Sequence, residues 1–265
     1  MVNSSITIYT LPCLSDNYAY VVHNRASGTA AVVDVPEAGP LVDKISQLNL
    51  PVTDIFLTHH HWDHIDGLPD LQAALTGSLG QSRARVIGAK ADAHRLPALD
   101  QAVGPGDRVT LCGIEGDIYD VSGHTLGHLA LHLPSAKAVF SADSLMAMGC
   151  GRLFEGSAEQ MWHSLQQFRS LAPDTWVYSG HEYTATNMAF TQTLGEDNPA
   201  IAARAAQITK DRAAGQATVP SPLALELQTN PFLRADDPAL QAAVGMPGAT
   251  AEQVFTEIRS RRDKF

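Results

Sequence analysis

The stretch Ile55-Phe-Leu-Thr-His-His-His-Trp-Asp-His64 joins an apolar strand to a run of residue types that bind metals. His59, His61 and Asp63 occupy alternate positions, and an extended backbone would project them to one side. His64 then begins the turn into a helix. Imidazole and carboxylate groups suit Zn, Fe or Mn, and a strand end holds them while leaving coordination positions open. The stretch therefore predicts a metal site at the end of a strand.

Three further candidate ligands each follow a predicted strand. His124 lies in Ser122-Gly-His-Thr-Leu-Gly-His128, whose glycines allow a tight turn that exposes an imidazole. Asp143 follows an apolar strand, where a carboxylate could bridge two cations about 3.5 to 4 Å apart, and His181 follows a strand in the same way. An isolated Asp143 would be a turn or helix-capping residue. Their shared position after strands indicates that loops at one edge of a sandwich form the site.

Three residues close to these candidates are interpreted as supporting residues. His60 and Trp62 lie between ligands and should point away from the ions on an extended segment, as structural residues or as partners of ligands. His128 is the second histidine of its motif, and a role as a packed residue or as a partner of a ligand is favoured over metal binding. The predicted ligand set therefore excludes all three.

Short β-rich runs alternate with turn residues over the first two thirds of the chain. Strands are predicted at Ser5–Thr10, Ala19–His23, Ala30–Asp34, Asp54–Leu57, Arg85–Gly88, Arg108–Leu111, Gly116–Val121, Leu129–Leu133, Ala138–Ser141 and Trp176–Ser179. Apolar residues at helical spacing predict helices over Leu41–Leu48 and Ala158–Leu171. Strands and helices in this order predict an α/β sandwich, with sheets inside and helices outside.

The pattern changes after about Tyr183. The remainder is rich in alanine, as in Ala200–Ala214 and Asp237–Val244, and prolines interrupt it, which predicts short helices joined by turns. We therefore expect two domains: residues 1–182, which hold nearly all of the candidate site, and residues 183–265, which form a small all-helical domain.

Composition and charge exclude several classes of protein. A formal charge of −10 over 265 residues disfavours nucleic acid and anionic membranes as partners, because both are bound through clustered Lys and Arg. No apolar run approaches the roughly 20 residues that span a membrane, and the start Met1–Ser5 lacks the features of a secretory signal. Cys13, Cys112 and Cys150 are odd in number and far apart, which indicates a reducing compartment. A cytoplasmic protein is expected, with a monomer as the default.

These motifs resemble those of the metallo-β-lactamase superfamily, and within it the chain is similar to the glyoxalase II (hydroxyacylglutathione hydrolase) family over essentially its whole length. The superfamily pattern is the Thr58–His64 run, the Gly123–His128 motif, an aspartate after a strand and a final Gly-His. Segments that resemble glyoxalase II are Leu14–Tyr18, Gly149–Gly156, Gly180–Thr184, Asn230–Phe232 and Arg259–Phe265. The resemblance implies a metallo-β-lactamase αββα sandwich followed by a small helical domain.

The resemblance also implies that two divalent metal ions share the candidate ligands. The implied set is His59, His61 and His124 for one ion, Asp63, His64 and His181 for the other, and Asp143 as the bridge between them. All of these residues are present. Such a set accepts Zn²⁺, Fe or Mn, and Zn²⁺ is the first choice.

Binding of the glutathione part of a substrate is likewise implied by the resemblance. The implied contacts are Arg152, Phe154, Tyr183, Arg259 and Arg262. Some members of the family have Lys and Tyr where Arg152 and Phe154 stand, so that a charge is kept and a phenolic hydroxyl is lost. Taken alone, the C-terminal arginines would be a solvated helix end that complements the helix dipole. Beside a ligand with two carboxylates, they become a candidate anion site.

The activity implied is hydrolysis of S-(2-hydroxyacyl)glutathione, such as S-D-lactoylglutathione, to glutathione and a 2-hydroxy acid such as D-lactate. This is the second step of methylglyoxal detoxification. Two metal ions lower the pKa of bound water to about 7, and the bridging hydroxide would attack the thioester carbonyl. Asp63 would accept a hydrogen bond from that hydroxide and orient it. Glutathione thiolate is a good leaving group, so that no strong general acid is needed.

Other enzymes on the same scaffold are alternatives: a persulfide dioxygenase with a single iron, a lactonase, a β-lactamase or a tRNA-processing nuclease. A β-lactamase should carry a secretion signal, a nuclease should have a basic surface, and the dioxygenases lack the helical C-terminal domain. A metal-dependent binding or sensor protein is the alternative from a different class. Sensing, however, needs neither open coordination positions nor a substrate clamp.

Overall fold

The computed structural model describes residues 5–265, which form two compact units. The first unit comprises residues 5–120 and 126–141, and the second unit comprises residues 121–125 and 142–265. Residues 1–4 lie outside the described residues. The expectation that the chain lacks a secretory signal concerns mainly these residues. The unit boundary at residue 142 differs from the expected domain boundary at residue 183, which stays a prediction.

The elements are numbered in chain order. The strands of the first unit are β1 (Ile6–Cys13), β2 (Asn17–Asn24), β3 (Thr29–Val33), β4 (Val52–Phe56), β5 (Arg85–Ala89), β6 (Gln101–Val103), β7 (Arg108–Leu111), β8 (Ile114–Asp120), β9 (Leu129–Leu133) and β10 (Ala138–Ala142). Its helices are α1 (Gly39–Leu48), α2 (Trp62–Ile65) and α3 (Leu68–Thr76). The strands of the second unit are β11 (Leu145–Met146), β12 (Gly149–Cys150), β13 (Trp176–Ser179) and β14 (Ser221–Pro222). Its helices are α4 (Ala158–Arg169), α5 (Thr184–Thr193), α6 (Pro199–Ala213), α7 (Leu223–Thr229), α8 (Pro238–Ala243) and α9 (Ala251–Lys264).

Two groups of strands form the core of the first unit. Strands β1 to β6 lie in sequence order, antiparallel from β1 to β3 and parallel from β3 to β6. Strands β7 to β10 form an antiparallel meander in which each strand pairs with the next. The rings of Tyr20 on β2 and Phe140 on β10 lie 5.4 Å apart, so that both groups share one core. The prediction of mixed sheets with helices around them is confirmed.

Strand β3 and the end of β4 are buried, as is typical of parallel strands inside a sheet. Residues 30–33 of β3 are buried, as are residues 54–56 of β4. Helix α1 connects these two strands and buries Leu41 and Ile45, one helical turn apart. The apolar end of β4 then leads directly into Thr58 and His59. The buried sheet thus fixes the starting point of the candidate metal-binding stretch.

The second unit is mainly helical. Its helices pack on an aromatic core in which Phe232 contacts Phe190 and Phe255, with ring centroids 6.1 and 5.8 Å apart. Beyond Tyr183 the one strand among the described residues is β14, which pairs with β13 and which the sequence did not predict. Ser221 precedes a proline, and such residues prefer extended backbone, which suits a short edge strand.

Most predicted elements are present with ends shifted by a few residues. Strands β9 and β13 begin and end where predicted, and α4 ends at Arg169 instead of Leu171. The elements that sequence periodicity missed are β6, β14, α3, α5, α7 and the hairpin β11–β12. Strands of two or three residues are too short to show a period, and helix α5 has no clear apolar face to reveal it.

Within residues 5–265, no helix is both long enough and apolar enough to cross a membrane. The longest helices there, α6 and α9, have 15 and 14 residues. A membrane span needs roughly 20 apolar residues.

The three cysteines are expected to be unreactive in the folded protein. Cys13, Cys112 and Cys150 are free thiols with 3%, 3% and 5% of their surface exposed. Burial raises the pKa of Cys13 and Cys112 to about 12 and that of Cys150 to about 11, and thiols react as thiolates. Ellman's reagent at pH 8 should therefore modify no thiol in the native protein and all three in denaturant. A native thiol that reacts within minutes would contradict the burial of the three cysteines.

Candidate metal centre

In the first unit, the loop after β4 is held in place by Asp34. Its carboxylate accepts hydrogen bonds from the Thr58 backbone N–H and from the Thr58 hydroxyl, both at 2.8 Å. The Thr58 carbonyl accepts the backbone N–H of Leu129 at 3.0 Å. Asp34 is itself in the left-handed region, with φ +57°, at the end of β3. The start of the histidine run is therefore fixed both from the end of β3 and from the start of β9.

The backbone of the ligand run changes conformation in the middle. His61 is extended, with φ −64° and ψ 141°, whereas Asp63 lies in the first turn of α2. The prediction that His59, His61 and Asp63 alternate on one extended segment is therefore wrong for Asp63. A carboxylate in a first helical turn interacts favourably with the helix dipole, and the His64 N–H closes the turn on the His61 carbonyl at 2.9 Å. The helix, rather than the strand period, presents Asp63.

The ligand candidates of the first unit lie close together. One ligand atom of His59 lies within 4.8 Å of one from His61 and of one from His64, and the same limit holds for Asp63 and His64. The rings of His59 and His64 are 4.2 Å apart. Asn17 donates a hydrogen bond from Nδ2 to Oδ2 of Asp63 at 3.0 Å and another to the Asp63 carbonyl at 3.0 Å. The Asp63 carboxylate is thereby oriented from β2.

Hydrogen bonds at Nδ1 define the tautomers of two of these histidines. His64 Nδ1 donates to the Asp34 carboxylate at 2.8 Å. His59 Nδ1 lies 3.0 Å from the Thr58 hydroxyl, which donates its own proton to Asp34 and so accepts from His59. In both rings the proton resides on Nδ1 and the lone pair on Nε2. An imidazole whose second nitrogen donates to an oxygen is the usual arrangement for a metal ligand.

In the second unit, Asp143 lies between two imidazoles. Its Oδ2 is 3.5 Å from Nε2 of His124 and 3.2 Å from Nε2 of His181, and all three residues are buried. His124 Nδ1 donates to the Arg152 carbonyl at 2.8 Å, so that this ring also presents Nε2. The turn before His124 needs Gly123, because a Cβ there would lie 2.8 Å from Cβ of Met161. The glycine expected to allow a tight turn is thus required.

The residues interpreted as supporting have three different environments. His60 contacts Asp92 and Arg95, each at 3.2 Å, and its ring lies 5.0 Å from that of His61, so that its role as a supporting residue stays a prediction. His128 is fully buried, with its ring 4.6 Å from that of His59, which fits a packed partner of a ligand. Trp62 is 64% exposed, which excludes a role in core packing.

The predicted substrate residues all lie in the second unit. Phe154 is 61% exposed and contacts the His124 ring edge-on, with centroids 5.2 Å apart, while Tyr183 stacks on His181 at 4.7 Å. The side chain of Arg152 is 60% exposed and lies over Phe154. Two of the three thus contact histidines of the candidate site directly, and all three are accessible.

The two C-terminal arginines differ from this group. Arg259 is 6% exposed, and its guanidinium donates to the Cys150 carbonyl at 3.0 Å and to Asp263 at 3.0 Å. Its Nη1 and Nη2 donors are thus engaged within the second unit, and the direct substrate contact expected for it stays a prediction. Arg262 is half-buried over Phe190, and burial followed by the charge of Arg259 lowers its pKa. A cationic cluster is present, with Arg259 as its buried member.

Sequence reasoning missed the partners of the ligands. Asp34, Thr58, Asn17 and the Arg152 carbonyl each orient one or more candidate ligands. Asn17 lies within the Leu14–Tyr18 segment that resembles glyoxalase II, and this was the one available signal.

Histidine and aspartate side chains of suitable chemistry lie close together and indicate a divalent metal-binding site.

Comparisons with known proteins find matches to both the N-terminal and the C-terminal part of the chain. Residues 15–181 match the model of the metallo-β-lactamase superfamily, and residues 182–265 match the model described as hydroxyacylglutathione hydrolase C-terminus. A hydroxyacylglutathione hydrolase from Ruegeria pomeroyi is 53% identical over 98% of this chain and 99% of its own length. One from Jannaschia sp. is 55% identical over 97% of this chain and 98% of its own. The crystal structure of ETHE1 from Myxococcus xanthus covers 96% of this chain and 90% of its own, with a TM-score of 0.62 and 22% identity, and shares the fold.

Proposed function

The chain belongs to the hydroxyacylglutathione hydrolase (glyoxalase II) family of the metallo-β-lactamase superfamily, and from this we propose that it hydrolyses S-(2-hydroxyacyl)glutathione thioesters. The products are glutathione and a 2-hydroxy acid, with S-D-lactoylglutathione giving D-lactate. The proposal rests on about half of all positions being identical to relatives of that name over nearly the full length. It places the enzyme in the second step of methylglyoxal detoxification.

We propose that two divalent cations, Zn²⁺ first and Fe or Mn as alternatives, are held by the candidate ligands. The proposed ligands are His59, His61 and His124 for one cation, Asp63, His64 and His181 for the other, and Asp143 between them. The observation that carries this proposal is the hydrogen bond from Nδ1 to an oxygen in His59, His64 and His124. It leaves each Nε2 as a metal-binding lone pair, which is what such a cation requires.

When bound, such cations supply a water that is deprotonated near neutral pH and polarise the carbonyl under attack. The residues of the chain position the reactants. Asp63, oriented by Asn17 at 3.0 Å, accepts a hydrogen bond from the attacking water and aligns it with the carbonyl carbon. Because glutathione thiolate leaves readily, no residue needs to donate a proton to it. The tight network around Asp34 keeps the ligands in place during turnover.

We propose that aromatic and basic side chains of the second unit, exposed or half-buried, bind the substrate. Arg152 and Arg262 provide positive charge for the two carboxylates of glutathione, and Phe154 and Tyr183 provide apolar surface next to His124 and His181. Arg259 contributes through the Cys150 backbone that it holds. The division into a catalytic domain, residues 1–182, and a helical glutathione-binding domain, residues 183–265, is part of the proposal. We also propose a cytoplasmic monomer whose partner is the small-molecule thioester.

The proposal is tested by hydrolysis of S-D-lactoylglutathione, with the metal content of the same sample measured. The loaded protein should consume the thioester and release free thiol, while protein treated with a chelator should not. Readdition of Zn²⁺, Mn²⁺ or Fe²⁺ one at a time identifies which ions restore activity. A fully loaded protein that leaves this thioester intact would contradict the proposal and favour a lactonase, a dioxygenase or another enzyme on the same scaffold.

A further inference from the structure

We propose that Glu226 and Asn230 are positioning residues, which fix the hairpin β11–β12 and through it the ligands His124 and Asp143. The inference rests on the proposed metal-dependent function. Both residues are fully buried, Glu226 in α7 and Asn230 directly after it, and both belong to the second unit. Neither belongs to the proposed ligands or substrate contacts. Their effect on the site must therefore pass through the backbone that they bind.

The hairpin β11–β12 is too short to stabilise its own conformation. It begins two residues after Asp143 and has only two residues in each strand, joined by Ala147 and Met148. Met148 is left-handed, with φ +60°, which is unfavourable for a residue with a Cβ. Because such a conformation persists only when its surroundings enforce it, contacts from outside the hairpin are required.

Those contacts come from two side chains. Glu226 Oε2 accepts the backbone N–H of Met148 at 2.9 Å, at the left-handed position itself. Asn230 Nδ2 donates to the carbonyl of Met146 at 3.1 Å and to that of Gly149 at 3.0 Å, one on each strand. Asn230 Nδ2 also lies 3.0 Å from Glu226 Oε2. The two residues thus act as one clamp across the whole hairpin.

The hydrogen bonds around Glu226 require its side chain to be a carboxylate. Its Oε1 accepts hydrogen bonds from Arg204 and from the Ser221 hydroxyl, while its Oε2 faces the Met148 N–H and the Asn230 amide. Arg204 and Ser221 thus donate to one oxygen and the Met148 N–H to the other, and only a carboxylate accepts on both oxygens. A glutamine would direct its NH₂ group either at Arg204 or at the hairpin, so that one side must break.

The clamped hairpin connects to both metal ligands. On its entry side it follows Asp143, and the Ser144 carbonyl accepts the N–H of Gly151 at 3.1 Å. On its exit side the chain passes Gly151 and reaches Arg152, whose carbonyl accepts the Nδ1–H of His124 at 2.8 Å. A shift of the hairpin would move the carbonyl that sets the His124 tautomer and the backbone that carries Asp143. Glu226 and Asn230 therefore act on metal binding without touching a metal.

The test is Glu226→Gln in the full chain, with Zn²⁺ affinity measured by competition with a chromophoric chelator. We expect Zn²⁺ binding to weaken about tenfold, the low end of the range for losing a partner of a metal ligand. The matched control is Glu196→Gln, because Glu196 is also a buried carboxylate of the second unit, bonded to Arg234 at 2.8 Å. Glu196 has no contact with the hairpin among its hydrogen bonds, so Glu196→Gln should keep the parent affinity within twofold.

Two outcomes would overturn the inference: Glu226→Gln binding Zn²⁺ within twofold of the parent, or Glu196→Gln losing as much affinity. A parent protein that binds no metal would instead contradict the proposed function, so that the two failures differ. If Glu226→Gln does not fold, amide hydrogen exchange measured on the parent protein tests the inference instead. Zn²⁺ should slow exchange of the Met148 amide at least tenfold more than that of Ala200, whose amide is bonded to a side chain, Asn198, outside the hairpin. Equal slowing of both amides would overturn the inference.

Discussion

Asp63→Asn is expected to lower kcat for S-D-lactoylglutathione at least 100-fold, which corresponds to about 2.7 kcal/mol of activation free energy. Asn17 donates a hydrogen bond to Oδ2 of Asp63, so that an asparagine would turn its own carbonyl oxygen towards Asn17. Its NH₂ group would then face the position of the cation and the attacking water. That group can neither bind a cation nor accept a hydrogen bond. The variant therefore loses a ligand and the orientation of the water together.

The matched control for this variant is Asp66→Asn. Asp66 lies three residues further on, at the C-terminal end of the same short helix, and is exposed. This change removes the same charge from the same helix and should leave kcat within twofold of the parent. Metal content must be measured for both variants, because a lower occupancy accounts for part of the loss in Asp63→Asn. Near-normal turnover by Asp63→Asn with its metals bound would refute the role assigned to Asp63.

The ligand candidates could be predicted because their signal is local. The candidates that follow strand ends within a few residues are His59, His61, His124, Asp143 and His181. A strand end can be recognised in the sequence because apolar residues give way to polar ones there. Asp63 shows the limit of this approach. Alternation holds only while the backbone stays extended, and here it turns into α2 after His61. Asp63 stays a predicted ligand, and the backbone conformation that presents it differs from the predicted one.

The partners of the ligands could not be predicted, because they are close in space and distant in the chain. Asn17 is 46 residues away from Asp63, and Asp34 is 30 residues away from His64. Nothing in the spacing of either residue marks it as a partner. The same applies to Glu226, which contacts Met148 from 78 residues away. Such pairs depend on strand register and helix packing, which periodicity does not determine.

Arg259 illustrates a different limit. In the sequence it belongs to a basic helix end with Arg261 and Arg262, and all three have the same appearance there. In the structure, Arg261 bonds Glu257 one helical turn earlier, Arg262 lies over Phe190, and Arg259 is buried against the Cys150 backbone. Which face of α9 turns inward decides these three environments. Charge alone therefore predicts an anion site without identifying the residue that would form it.

Gly151→Ala is the second variant for which a large loss is expected. A Cβ at Gly151 would lie 1.9 Å from the Asp143 carbonyl oxygen and 3.1 Å from Nδ1 of His124. A carbon and an oxygen cannot approach closer than about 3 Å without a shift of the backbone, so the segment must move by roughly 1 Å. Overpacking of this kind costs about 1–3 kcal/mol of folding free energy. Displacement of a site by 1 Å can lower turnover about 100-fold.

The loss in Gly151→Ala should concern metal binding as well as stability, because the clash lies between two proposed ligands. The hydrogen bond from His124 to the Arg152 carbonyl, one residue beyond Gly151, would lengthen and release the His124 ring. Gly39→Ala is the matched control, since a Cβ there meets no atom within 4 Å. Thermal unfolding, Zn²⁺ affinity and thioester hydrolysis should therefore all decline in Gly151→Ala and stay at parent values in Gly39→Ala. A Gly151→Ala protein with parent stability and parent turnover would show that the backbone of Asp143 does not lie against Gly151.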